Sequence, residues 1–129
     1  MRTIELDGTA FDDLEGFYNE VERKLTSGLD WRVGHNLDAF NDILYGGFGV
    51  HEPHEAVNLI WRHSGRSQQV LGWPETEKYW ATKVRTFHPN NRHIALARLE
   101  SAKRQDGPTL YEMLCSIIRE HPSLTLMEE

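Results

Sequence analysis

The sequence predicts an α/β fold in which a three-stranded parallel sheet packs against helices. Two observations carry that prediction. Short apolar or alternating stretches stand near the start, in the middle and at the end of the chain, which is the pattern of strands. The segments between them hold apolar residues at helical spacing, so successive strands are joined by helical crossovers and pair in parallel. The length of 129 residues favours one domain, 1–129, and a chain of that size buries a core without disulfides or a metal.

Each element follows from its own residues. Ile4 and Leu6 alternate with polar neighbours and Asp7-Gly8 ends the run, giving a strand over 2–7. Asp12 stands three residues before Glu15, the spacing of a capping box. Leu14, Phe17, Tyr18, Val21 and Leu25 then share one side of a helix over 13–26, which Ser27-Gly28 breaks. Asn36 is a good N-cap for a second helix over 36–45, because its side-chain oxygen accepts a free amide of the first turn. Leu37, Ala39, Phe40, Ile43 and Leu44 form one face of that helix; Asp38, Asn41, Asp42 and Tyr45 form the other. The glycines after Tyr45 allow the positive φ that ends a helix. Residues 56–61 read as a buried strand with Trp61 in the core. Thr109 and Glu112 make another capping box, opening a helix with Leu110, Met113, Leu114, Ile117 and Ile118 on one side. Pro122 stops it, and Leu124 to Met127 alternate as the last strand.

Residues 64–108 read as a helical insertion. Trp73-Pro74 looks like a loop, and residues 76–87 a helix presenting Tyr79, Trp80, Val84 and Phe87. His88-Pro89-Asn90 breaks it. Asn91 caps a further helix through Lys103, with Ile94, Leu96, Ala97 and Leu99 as its packed side. The expectation is a helical hairpin on the edge of the fold.

Charge is unevenly distributed. The net charge is −6, yet residues 1–55 hold twelve acids and four bases, whereas the remainder hold eight acids and ten bases. A concentrated negative field repels nucleic acid and speeds the capture of basic partners. The basic residues Arg85, Arg92, Arg98, Lys103 and Arg104, interleaved with Trp80 and Phe87, have the types that bind RNA; the overall charge disfavours nucleic acid. No apolar run approaches the ~20 residues that span a bilayer, and the first residues lack the apolar core of a secretion signal. With one cysteine, Cys115, there is no intrachain disulfide, and the expected setting is cytoplasmic. Cys115 sits beside an apolar stripe and reads as a buried, inert thiol. The histidines and acids of 51–55 lack regular ligand spacing, so neither metal nor cofactor is expected.

The segment from Gly34 to Phe48 carries the functional signal. Asp38 and Asp42 are i,i+4 neighbours on one helical face, an arrangement that costs about 0.2–0.5 kcal/mol in a free helix. No lysine or arginine lies between Val33 and Leu59 to offset it. Two acids on one exposed stripe form no cleft for acid–base catalysis; they suit a cationic partner.

The same residues carry a resemblance. Gly34, Asn36, Leu37, Asp38, Ala39, Asp42 and Gly46 match the binding-helix motif of the barstar family, inhibitors of the small basic ribonuclease barnase. The resemblance covers residues 2–63 and 109–127. It implies a barstar-like fold and an inhibitor in the role of an immunity protein, rather than an enzyme, with a basic extracellular-type ribonuclease as partner. It further implies that the motif helix plugs the nuclease active site, Asp38 and Asp42 standing in for substrate phosphates. On that reading Gly34 admits close backbone approach, Asn36 and Leu37 edge the plug, and Gly46 ends the helix. Glu120 is the candidate for the family's acidic contact near the last helix. The sequence departs from the family pattern at Arg32, Asn41 and Gly47, where aromatic residues are usual. The alternative function is a regulatory or RNA-associated module that uses the basic insertion. Trp31 and His35, just ahead of the motif helix, are further candidates for partner contact.

Overall fold

The computed structural model describes residues 1–29 and 33–129, so Trp31 and Arg32 lie outside the described residues. Three strands, β1 (Arg2–Asp7), β2 (Val57–Arg62) and β3 (Leu124–Glu128), form one parallel sheet in the order β1-β2-β3. Ile4 pairs with Leu59, and Leu59 with Leu126. Two helices, α1 (Leu14–Leu25) and α2 (Leu37–Tyr45), connect β1 to β2. Four more, α3 (Ser64–Val70), α4 (Trp73–Thr86), α5 (Arg92–Lys103) and α6 (Leu110–Arg119), connect β2 to β3.

The sheet is covered on one face. Ile4, Leu6, Val57, Leu59, Trp61 and Leu124 are buried, while Thr3, Glu5 and Thr125 on the other face are exposed. The central strand is therefore not the uniformly buried run that its apolar sequence suggests; Asn58 and Ile60 are half-buried. Arg62 ties the polar face together, reaching Glu5 at 2.7 Å and also pairing with Glu129.

Beneath the helices lies an aromatic core. Phe17 stacks on Trp61 with ring centres 5.3 Å apart and meets Phe40 edge-on at 5.3 Å. Trp61 also packs on Tyr111 at 4.8 Å and donates its indole N–H to Ser67 Oγ at 2.9 Å. Phe40 thus fixes α2 on the core from below.

Several local expectations are corrected. The N-cap of α1 is Asp13, whose carboxylate accepts from the Gly16 amide at 2.7 Å; Asp12 instead pairs with Arg66. Two adjacent aspartates both fit a cap by composition, and the long-range arginine takes one. Trp73-Pro74 begins α4 instead of forming a loop, with Pro in its first turn, where the missing amide is not needed. The packed face of α5 holds Ala95 and Ala102, whereas Ile94 and Leu96 are 46% and 44% exposed. Small alanines let α5 lie close against α4, so the larger apolar residues face outward. Helix α3 has no counterpart in the sequence reading. Its polar, glycine-bearing segment is a weak helix former, and it is held by Arg66, which donates to the Gly8 and Phe11 carbonyls at 2.8 and 2.6 Å.

Candidate acidic interface

Helix α2 presents the motif. Asn36 Oδ1 accepts from the Ala39 amide at 2.7 Å, closing the N-terminal turn. Phe40, Ile43 and Leu44 are buried, and that burial sets the rotation of the helix. Asp38 and Asp42 consequently face solvent, with Tyr45, 61% exposed, one turn further on. Among the described residues no Lys, Arg or His side chain pairs with either aspartate. Asp38 does influence α4: burial, and then the charge of Asp38, push the Tyr79 hydroxyl above its ordinary value.

Both ends of α2 are anchored. Ahead of it, His35 bridges Glu15 and Glu22 of α1 through its two ring nitrogens and lies tilted against the Tyr18 ring at 5.4 Å. Burial opposes charge on this ring, but the hydrogen bonds and charges of Glu22 and Glu15 outweigh it and hold the imidazole above its ordinary value. His35, a candidate for partner contact by sequence, is thus engaged within the chain.

At the far end Gly46 caps the helix at φ 82° and ψ −175°, a region essentially reserved for glycine. A Cβ there would lie 2.7 Å from the Glu52 carbonyl oxygen. His51 is buried below and donates Nε2–H to the Leu44 carbonyl at 3.2 Å. From the turn after α6, His121 donates to Asn41 Oδ1 at 2.7 Å and meets Tyr45 edge-on at 4.6 Å. Burial lowers the His121 imidazole below its ordinary value. Asn41 therefore docks α2 onto the turn after α6. That contact spans 80 positions, and sequence spacing carries no signal for it.

The six motif residues expected to meet a partner differ in their surroundings. Gly34, Asn36, Asp38 and Asp42 are exposed, and Leu37 and Gly46 are half-buried. Gly34 is not in the left-handed region, and a Cβ on it would meet only side-chain atoms, the nearest Asn36 Nδ2 at 3.0 Å. Glu120, exposed, borders a shallow depression shared with Tyr45 and Gly46, so the chain brings another acid to the C-terminal end of α2. Cys115 is buried, which pushes its thiol up to about 11.

A family model described as barstar (barnase inhibitor) matches residues 1–117. The chain belongs to the barstar family. No curated protein matches the chain. The barstar match includes the whole of 64–108 and ends within α6. The family consists of inhibitors rather than enzymes, and it implies a ribonuclease as the protein partner. Among the described residues, no helix is long and apolar enough to cross a membrane.

Proposed function

We propose that this barstar-family protein inhibits a basic, barnase-like ribonuclease by seating the acidic face of α2 in its active site. One observation carries the reading: Asp38 and Asp42 project from the same helix into solvent, with no cationic partner among the described residues. A helix that keeps two like charges unpaired on one face loses stability on its own and recovers it against a cationic surface. Arginine, lysine and histidine side chains that normally bind RNA phosphates supply such a surface. The aspartates occupy the phosphate positions and no chemistry follows, so inhibition rests on charge and shape. Asn36 and Leu37 form the edge of the contact, and Gly34 leaves room for backbone to approach. The setting that fits is the cytoplasm of a cell that makes the nuclease for export, where the inhibitor acts as an immunity protein.

The test is an inhibition titration against purified barnase-type ribonucleases, with RNA cleavage as readout. Asp42→Ala weakens inhibition by about 2–5 kcal/mol, a range that barnase–barstar charge pairs themselves help to define. Asp12→Ala, whose carboxylate is already taken up by Arg66, leaves inhibition close to wild type. Equal effects of the two substitutions, or no inhibition by the wild type, overturn the reading.

A further inference from the structure

Outside the hairpin of α4 and α5, every described arginine is paired with a carboxylate. Arg2 holds Glu55, Arg23 holds Glu20, Arg62 holds Glu5 and Glu129, Arg66 holds Asp12, and Arg119 holds Glu128. The arginines of the hairpin and of the α5 C-cap, Arg85, Arg92, Arg98 and Arg104, differ: among the described residues none of them pairs with a carboxylate. The sequence supplies the reason. From Lys78 to Leu99 the chain has no Asp or Glu, against five Lys and Arg. All four arginines are exposed, as are His88 and His93 at the turn of the hairpin. Arg92 Nε donates to the Val84 carbonyl at 3.1 Å, which fixes the side chain at the tip and leaves its charge unneutralised. The acids at the margins are Glu77, Glu100 and Asp106; Glu100 faces Lys103 at 3.6 Å, and Asp106 Oδ1 accepts from the Gly107 amide at 2.9 Å. In physiological salt a charge is felt over about 8 Å, so the field at the hairpin follows its own arginines and not the net charge of −6.

The placement of these charges selects among polyanions. Arg92, Arg98 and Arg104 are six residues apart, so successive ones point about 120° apart around α5. A rigid protein surface or a bilayer meets one face of a helix and leaves part of such a set unmatched. The exposed Ile94 and Leu96 likewise project to nearly opposite sides, about 160° apart, and form no apolar face that enters a membrane. A single nucleic-acid strand is flexible and follows a charge track that turns. Its bases have a place as well. Trp80, half-buried, lines a depression of about 260 Å³ with Arg98, Ser101 and Met113, where α4 and α5 meet residues 106–108. The indole gives a base a wall to stack on, with a guanidinium beside it for the phosphate. We propose that the α4–α5 hairpin binds single-stranded RNA, its arginines holding phosphates and Trp80 stacking a base. RNA is the polynucleotide that a ribonuclease partner brings into reach. The two surfaces divide the work: α2 faces the nuclease, and the hairpin faces the nuclease's substrate.

The experiment titrates the full-length protein into a fluorescently labelled oligouridylate, without nuclease, and reads anisotropy. Four arginine–phosphate contacts give log K against log salt a slope of about −3, so affinity falls about fiftyfold between about 0.05 and about 0.2 M salt. Arg92→Gln/Arg98→Gln weakens binding by at least about tenfold at the lower salt and flattens the slope by about 1.4. Trp80→Leu weakens binding about fivefold or more and leaves the slope unchanged. Arg2→Gln, which removes an arginine already held by Glu55, leaves binding within about twofold of wild type. Failure to bind at low salt overturns the inference. So does an Arg2→Gln effect as large as that of the hairpin pair, which would trace binding to overall charge. Polyglutamate, anionic phosphatidylserine vesicles and a matched DNA strand are titrated alongside. Equal or tighter binding of the first two, or tighter binding of the DNA, also overturns the RNA assignment. Arg92 and Arg98 are exposed, and thermal melts of the variants check that the fold is intact. With no nuclease in the assay, the outcome is read independently of the inhibitor titration.

Discussion

Two glycines of the motif have separable roles at the residue scale. Gly46 holds a backbone conformation close to exclusive to glycine, with a carbonyl where a Cβ would go. Gly46→Ala therefore costs the free protein about 1–3 kcal/mol from backbone conformation, before any clash, as read by urea denaturation. Gly34 carries no such backbone demand. Gly34→Ala changes stability by less than about 0.5 kcal/mol and shows its effect in nuclease affinity. Two histidines give opposite pH signatures. The folded imidazole of His35 lies above its ordinary value, so its contribution is fully present below about pH 6.5 and is lost as pH rises through the folded value. His121 lies below its ordinary value; its contribution is complete above about pH 6.5 and is lost as pH falls through the folded value. Denaturant midpoints of His35→Gln accordingly fall less between about pH 6.5 and about pH 8.5 than those of wild type, while the acid-side loss persists.

Helix α2 shows how function and stability oppose each other at the scale of an element. Asp38 benefits from the positive end of the helix, but Asp42 lies in the second half of a nine-residue helix that has no basic residue in its last turn. Asp42→Asn therefore raises the stability of the free protein by about 0.2–0.5 kcal/mol, seen as a small rise in Tm, while it weakens inhibition. A fall in Tm would mean that Asp42 serves the fold. Local signals located most elements. The Asn36 cap, the Thr109–Glu112 box and the alternation of Ile4 with Leu6 all describe neighbours in sequence. Where local signals were ambiguous, a tertiary contact decided: Arg66 between Asp12 and Asp13, and the neighbouring helix α4 between the two apolar sets of α5. Helix α3 was illegible because Arg66 and Ser67 are held by Gly8, Phe11 and Trp61, and helix propensity contributes little.

For the whole molecule, the segregation of acids into residues 1–55 predicts electrostatic steering of a basic partner. The association rate falls steeply as salt rises from about 0.05 to about 0.5 M, whereas dissociation changes much less. Stopped-flow mixing with the nuclease checks this, and a flat salt profile would count against the acidic interface. The sheet supports the same surface from behind. With one face covered, α1, α2, α4 and α6 share one side, and the aromatic contacts from Phe40 through Phe17 to Trp61 link α2 to the central strand.

What the sequence determined by itself was the list of strands and helices with strong periodicity, the outward face of α2, and the family to which the motif pointed. Each depends on residues within a few turns of one another, where spacing and chemistry suffice. Tertiary structure alone decided that β2 is central, that His35 and His121 hold the two ends of the motif helix, and that α4 stands beside its acidic face. Those outcomes depend on contacts between residues far apart in the chain, and local periodicity carries no information about which distant surface an element will meet.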